Sequence, residues 1–147
     1  MSEVCKLTNG EKLSNIKHIN LDVKFLRRED EGKHIQSGRY ISKDSLLILI
    51  DGENSGEVFQ TPIEGYQGST FKQLLISKCM NQEYVVHVIN QHKTLLRESK
   101  VGSAIPHLNK KLFKAINILV PPYKEQCRIV DCIRGYYEIL DKIAENL

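Results

Sequence analysis

The last 26 residues constrain this chain more than any other stretch. Pro121 and Pro122 stop whatever precedes them, because neither can donate a backbone hydrogen bond. Beyond them Ile129, Ile133, Tyr136, Leu140, Ile143 and Leu147 recur at separations of 4, 3, 4, 3 and 4, which is the apolar seam of a heptad repeat. Pro122 suits the first turn of a helix, and Glu125 falls where the helix dipole favours an anion. Val130, Tyr137, Ile139 and Ala144 flank the seam, so the apolar face is wider than a two-stranded coil requires. Such a face has to be covered. It can fold back on its own domain, pack on another chain, or do both on different sides of the helix. The expected organisation is a globular domain over 1–121 and a spacer or dimerisation helix over 122–147.

Upstream the periodicity changes from element to element. Residues 1–18 read as a loop or short element, with Asn9-Gly10 as a turn signal. Leu21, Val23 and Phe25 alternate with Asp22 and Lys24, the pattern of a half-buried strand, and a charged, solvated loop follows over 27–33. Leu46-Leu47-Ile48-Leu49-Ile50 suits a strand buried on both faces. The turn formers at 51–56, followed by Glu57-Val58-Phe59, predict a hairpin. Residues 70–77 form a further strand candidate. Over 82–99 the period becomes helical, with Val85, Val88, Ile89, His92, Leu95 and Leu96 at steps of three and four. Residues 102–106 break the pattern, Asn109 can cap a short helix through Phe113, and 115–120 reads as a last strand. The expected fold class is α+β: a twisted mixed or antiparallel sheet with flanking helices, followed by a long helix of coiled-coil type.

Composition narrows the chemistry. The chain has 147 residues, 41% hydrophobic and 27% charged, as ordinary globular domains do. Its longest purely apolar run, Leu46–Ile50, is far short of the roughly 20 residues of a membrane helix, and the first residues lack a signal-peptide core. A cytoplasmic location without membrane contact is expected. Lys plus Arg number 21 and Asp plus Glu 18, a net charge of +3 that permits nucleic-acid binding without demanding it. Cysteines at 5, 79, 127 and 132 match no disulfide framework or metal knuckle, so all four are expected to be reduced structural thiols. The histidines at 18, 34, 87, 92 and 107 show no ligand spacing, and no metal is expected. Val120-Pro121-Pro122-Tyr123 is similar to the catalytic loop of amino-group DNA methyltransferases, but Val120 stands where that chemistry needs a hydrogen-bond acceptor. Glu98-Ser99-Lys100 has the Glu-x-Lys form of metal-dependent nucleases, with Asp51 as a distant partner, yet it falls at a helix end. No catalytic residue is therefore expected.

Four segments, in order, carry a more specific resemblance. They are residues 49–59 (Leu49 to Phe59, including Asp51-Gly52-Glu53-Asn54-Ser55-Gly56), Gly65-Tyr66-Gln67-Gly68-Ser69-Thr70-Phe71, Gly102-Ser103-Ala104-Ile105-Pro106-His107-Leu108-Asn109, and Val120–Val130 with its Pro-Pro-x-x-Glu-Gln-x-Arg-Ile-Val core. Together, over roughly residues 19–147, they resemble the DNA-specificity subunit of type I restriction-modification systems. The resemblance implies a non-catalytic protein. A subunit of that family usually carries two target recognition domains, each reading half of a split DNA target in the major groove and each followed by a long helix. The two helices pack antiparallel as a spacer. Modification subunits dock on them and methylate adenine with S-adenosylmethionine, and restriction subunits add ATP-driven translocation and cleavage. This chain holds one domain and one helix, about half of that plan. The resemblance thus implies a half-subunit whose seam pairs with a second copy around a twofold axis, as a homodimer reading inverted half-sites.

Phosphate contacts need mobile cations, and base contacts need bidentate side chains. The expected DNA-binding residues lie in loops: Lys24, Arg27, Arg28 and Lys33 beside the first strand, Arg39 and Lys43 before the buried one, Lys72 after Gly68-Ser69-Thr70, and Lys100, His107, Asn109, Lys110 and Lys111 around the Ile-Pro-His-Leu-Asn turn. Asn54 and Gln67 could read adenine, whereas Asp51, Asn54, Gly56 and Gly68 could instead only hold turns, and His107 and Asn109 could equally fix their loop. Two other readings compete. One is a truncated interaction module that dimerises or binds modification subunits without reading DNA. The other is a small metal-dependent nuclease built on Glu98.

Overall fold

The structure is a computed structural model that describes residues 1–102 and 104–147; Ser103, within the Gly102–Asn109 segment, lies outside the described residues. In chain order the elements are β1 (Cys5–Thr8), β2 (Glu11–Leu21), α1 (Val23–Leu26), β3 (His34–Ile41), β4 (Leu46–Leu49), β5 (Val58–Gln60), β6 (Gly65–Gln67), β7 (Phe71–Ile76), α2 (Gln82–Gln91), α3 (Lys93–Glu98), α4 (Lys110–Ala115) and α5 (Tyr123–Glu145). The fold is mixed α+β, as its composition of periodicities predicts.

The apolar run at 46–50 is the pivot. All four residues of β4 are buried, and successive side chains leave opposite faces of a strand. Leu46, Ile48 and Ile50 join one core with Val85, Ile89, Leu96, Phe113 and Val130. Leu47 and Leu49 join a second with Leu21, Ile41 and Phe71. β4 lies inside an antiparallel four-stranded sheet of order β1-β7-β4-β5, with α2, α3, α4 and α5 over the first core and α1 against the second. On the other side β2, β3 and β6 pair with one another in a closed set. There β2–β3 and β3–β6 are antiparallel and β2–β6 is parallel. The Gly-Tyr-Gln-Gly motif makes that closure fit. A Cβ at Gly65 would lie 2.5 Å from the Ile19 carbonyl oxygen, and one at Gly68 2.6 Å from that of Leu21. Only glycine lets β6 lie this close to β2.

Several expectations need correction. Residues 1–18 are not a loop: they supply β1 and most of β2. β2 has no clean alternation because much of it is exposed, so the period-2 signal is lost. β3 and β6 lacked a signal for similar reasons, one being largely exposed and the other three residues long. Val23 and Phe25 are helical, because the Asp22 carboxylate accepts from the Phe25 amide at 3.0 Å and caps α1. Asp22→Ala should therefore lower stability by about 1 kcal/mol in a urea titration. Residues 116–122 carry Ile116 and Ile118 against the first core but belong to no strand. The helical run over 82–99 is broken at His92, which ends α2 and begins α3. Asn109 caps α4 as expected, accepting from the Leu112 amide at 3.1 Å. All four cysteines are free, but only Cys5 is buried; burial pushes its thiol up to about 11. Among the described residues no helix is long and apolar enough to cross a membrane.

Candidate nucleic-acid interface

The hairpin loop between β4 and β5 is where three of the expected DNA-binding residues meet, Arg27, Lys100 and His107. Backbone bonds dock the 101–108 segment on it: Val101 and His107 exchange amide-to-carbonyl bonds of 3.0 and 2.8 Å, the Gly52 amide donates to the Pro106 carbonyl at 2.8 Å, and the Leu108 amide to that of Ile50 at 2.8 Å. Side chains then pair across it. His107 Nδ1 lies 2.6 Å from Asp51 Oδ1, Lys100 Nζ donates to Glu53 Oε2 at 2.9 Å, Arg97 to Asn54 Oδ1 at 2.7 Å, and Arg27 to Glu57 Oε2 at 2.6 Å. Three expected phosphate-binding groups, Arg27, Lys100 and His107, thus face carboxylates of this one loop. Glu98 is exposed at the end of α3, and Asp51 is engaged by His107, so this structure does not bring the two carboxylates of the nuclease reading onto a shared partner.

The remaining candidates divide. Lys24, Arg28, Lys33, Lys43, Lys110 and Lys111 are exposed, and no ion pair among the described residues involves them. Arg28, at φ 60°, sits in the turn after α1, whereas Lys43 lies at the opposite end of β4 from the hairpin loop. Lys72 Nζ donates to Asn9 Oδ1 at 2.8 Å, and Arg39 donates to the Gly10 carbonyl at 3.4 Å. Gln67 has both amide atoms engaged internally. Its oxygen accepts from the Gly10 amide at 2.9 Å and its nitrogen donates to the Phe71 carbonyl at 2.8 Å. Gln67 is thus spent on the Gly10 and Phe71 backbones, Asn54 accepts from Arg97, and Asn109 is a helix cap.

The β2–β3 ribbon has no counterpart in the sequence reading, where residues 1–18 are a loop or short element. Residues 11–21 and 33–41 carry Lys12, Lys17, Lys33 and Arg39 against Glu11 alone, four cations to one anion. That surplus equals the whole chain's net charge of +3, so the rest of the protein is balanced. The signal was visible as local charge density.

The C-terminal helix forms a second surface. Gln126 and Val130 are buried against the domain, and Ile129 packs partly against the first core. Ile133 is half-buried. From Tyr136 onward the helix is exposed on all sides, with Leu140 58% and Ile143 54% accessible. At about 100° per residue, the stripe of Tyr136, Leu140, Ile143 and Leu147 is centred roughly 110° around the helix from Val130. Ile129 lies on the same stripe, so the domain covers the seam at the root of α5, and the seam is open where the helix runs on past Ile133. Glu125 in the first turn is held by Arg128 at 2.6 Å, which keeps its carboxyl below the usual range through that hydrogen bond.

Comparison with known proteins agrees with this architecture. The profile of the type I restriction modification DNA specificity domain matches residues 1–147. The type I restriction enzyme MjaVIII specificity subunit of Methanocaldococcus jannaschii is 29% identical over 108 residues, which are 73% of this chain and 25% of that protein. Two solved structures share the fold. The HsdS subunit from Thermoanaerobacter tengcongensis superimposes with a TM-score of 0.71 at 13% identity, over 99% of this chain and 38% of that one. A chain from work on complex assembly and conformational transition of the type I R-M system does so with a TM-score of 0.72 at 13% identity, over 98% and 38%. The chain therefore spans about a quarter of the curated relative and under two-fifths of the structural ones.

Proposed function

The chain belongs to the type I restriction modification DNA specificity family, and from that premise we propose that it works as a half-subunit. In this reading residues 1–121 are one target recognition domain that reads half of a split DNA target. Residues 122–147 are the spacer helix, which pairs with a second copy and offers docking surface to modification and restriction subunits. S-adenosylmethionine and ATP chemistry belongs to those partners, and this chain positions them on DNA.

The observation that carries the reading is the division of α5 along its length. The domain is seated on Gln126 and Val130, while Tyr136, Leu140, Ile143 and Leu147 remain open. A second helix can pack along that stripe without unseating the domain. An antiparallel pair of 23-residue helices is about 35 Å long, close to one turn of B-DNA, which sets two domains over half-sites separated by several base pairs. Phosphate contacts come first from Lys24, Arg28, Lys33, Lys43 and Lys110. Arg39 and Lys72, bonded to the Asn9-Gly10 turn, add two further cations. Arg27, Lys100 and His107 contribute by exchanging a loop carboxylate for a phosphate.

Mapping methylated adenines in DNA from cells that carry this chain with its modification subunit tests the proposal. Two inverted half-sites at a fixed spacing are expected. Methylation that ignores sequence, or that falls on an asymmetric target, would contradict it. With the assembled complex, raising salt from 50 to 200 mM should weaken binding by orders of magnitude, as expected when several phosphates are neutralised.

A further inference from the structure

We propose that the β2–β3 ribbon is the base-reading element of this domain, with Asn15, Ile16, Lys17 and the facing Gln36 as its specificity-determining residues. This deepens, and rests on, the DNA-reading function proposed above.

The register of the ribbon locates the constellation. Ser14 pairs with Ser37 and His18 with Ile35. Three residues of β2, Asn15, Ile16 and Lys17, therefore lie opposite the single residue Gln36. This is a bulge, a device that re-aims side chains out of a sheet. Asn15 takes φ 62°, a left-handed conformation that asparagine tolerates better than most residues. All four side chains are exposed, and Ile16 is 49% accessible although it is aliphatic.

The inner side of the bulge is held firmly. Tyr66 is fully buried, and its hydroxyl donates to the Ile16 carbonyl at 2.7 Å. The His18 ring packs against Tyr66 and Tyr40, at centroid distances of 5.1 and 5.4 Å. Because β2, β3 and β6 close on one another around Tyr66, the outer side of the ribbon is convex and the bulge stands on it.

The chemistry fits a major groove. That groove accepts a two-stranded ribbon, and its base edges are read by the groups found here: an amide pairs bidentately with adenine, a lysine with guanine, and an aliphatic carbon contacts the thymine methyl. β2 and β3 also carry Lys12, Lys17 and Arg39 against Glu11 alone, with Lys33 just before β3. No ion pair among the described residues neutralises Lys12, Lys17, Lys33 or Arg39. The hairpin loop, by contrast, faces its cations with carboxylates.

The test compares wild type with Asn15→Gly, Gln36→Ala and Lys17→Gln, each assembled with the modification subunit, by adenine-methylation mapping and by salt-dependent DNA binding. Glycine at 15 keeps the backbone conformation and removes only the amide. Asn15→Gly and Gln36→Ala should each relax one or two positions of each half-site, with about tenfold to a hundredfold loss of discrimination there. Lys17→Gln should either relax one position or lower the salt slope by about one. Folding is checked by thermal melting of each variant. A defined wild-type target that all three folded variants retain unchanged at every position, with an unchanged salt slope, overturns the ribbon assignment and leaves the DNA-reading function intact. A wild type that methylates without any target overturns both.

Discussion

Leu140→Asp is expected to convert a dimer of this chain into a monomer, seen as a later elution from a sizing column at micromolar concentration. Leu140 lies in the middle of the open stripe and is 58% accessible in the single chain. Its burial therefore depends on what packs there. In a twofold arrangement every substitution occurs twice. Losing two leucines from a packed seam forfeits about 2 kcal/mol each, and the carboxylates that replace them resist desolvation. A total of about 4 kcal/mol weakens association roughly a thousandfold. The fold of the single chain should be untouched, because Leu140 belongs to neither core, so melting of the isolated domain serves as the control. Glu138→Ala, on the far side of the helix and also exposed, should leave elution unchanged. If Leu140→Asp eluted with wild type, the seam would not be an interface between copies.

The same helix shows which parts of this protein are written locally in its sequence. The proline stop, the long helix after it, the doubly buried strand at 46–50, the hairpin that follows and the Asn109 cap are each specified by a few neighbouring residues, and each formed as read. Other features depend on partners far along the chain. The strand pattern at 21–25 lost to a cap from Asp22, a contact of three residues that outweighs an alternation over five. Ile116 and Ile118 alternate as a strand would, but no neighbouring strand is there to pair with them. The β2–β3 ribbon was illegible because its exposed residues and its bulge erase the period of two. Among the exposed lysines expected in loops, Lys33 and Lys43 are in loops, whereas Lys24 lies in α1 and Lys110 opens α4. The pairing of Arg27 with Glu57, 30 residues away, or of His107 with Asp51, 56 away, is set by the fold and leaves no local trace.

Gln126 is the residue whose loss should cost the domain most for its size, and it explains why a glutamine stands in the Pro-Pro-x-x-Glu-Gln segment. It is fully buried. Its oxygen accepts from the Asn81 amide at 2.8 Å and its nitrogen donates to the Pro121 carbonyl at 2.9 Å. Asn81 in turn caps α2 through the Tyr84 amide at 3.1 Å, so one side chain ties the start of α2 to the start of α5. Gln126→Leu keeps the volume and strips both bonds, leaving a donor and an acceptor buried without partners. At about 1–3 kcal/mol for each such group, stability should fall by about 2 kcal/mol or more in a urea titration. Gln126→Glu should be no better, because a carboxylate cannot donate to the Pro121 carbonyl and resists burial. The functional consequence follows from leverage. A helix about 35 Å long that swings by about 10° at its root moves its tip by roughly 6 Å, nearly two base-pair steps of the 34–36 Å turn of B-DNA. In the half-subunit reading, methylated half-sites in Gln126→Leu cells should appear at mixed spacings while each half-site sequence is still recognised. A variant within 0.5 kcal/mol of wild type, with a single spacing, would show that the helix is oriented by its apolar contacts alone.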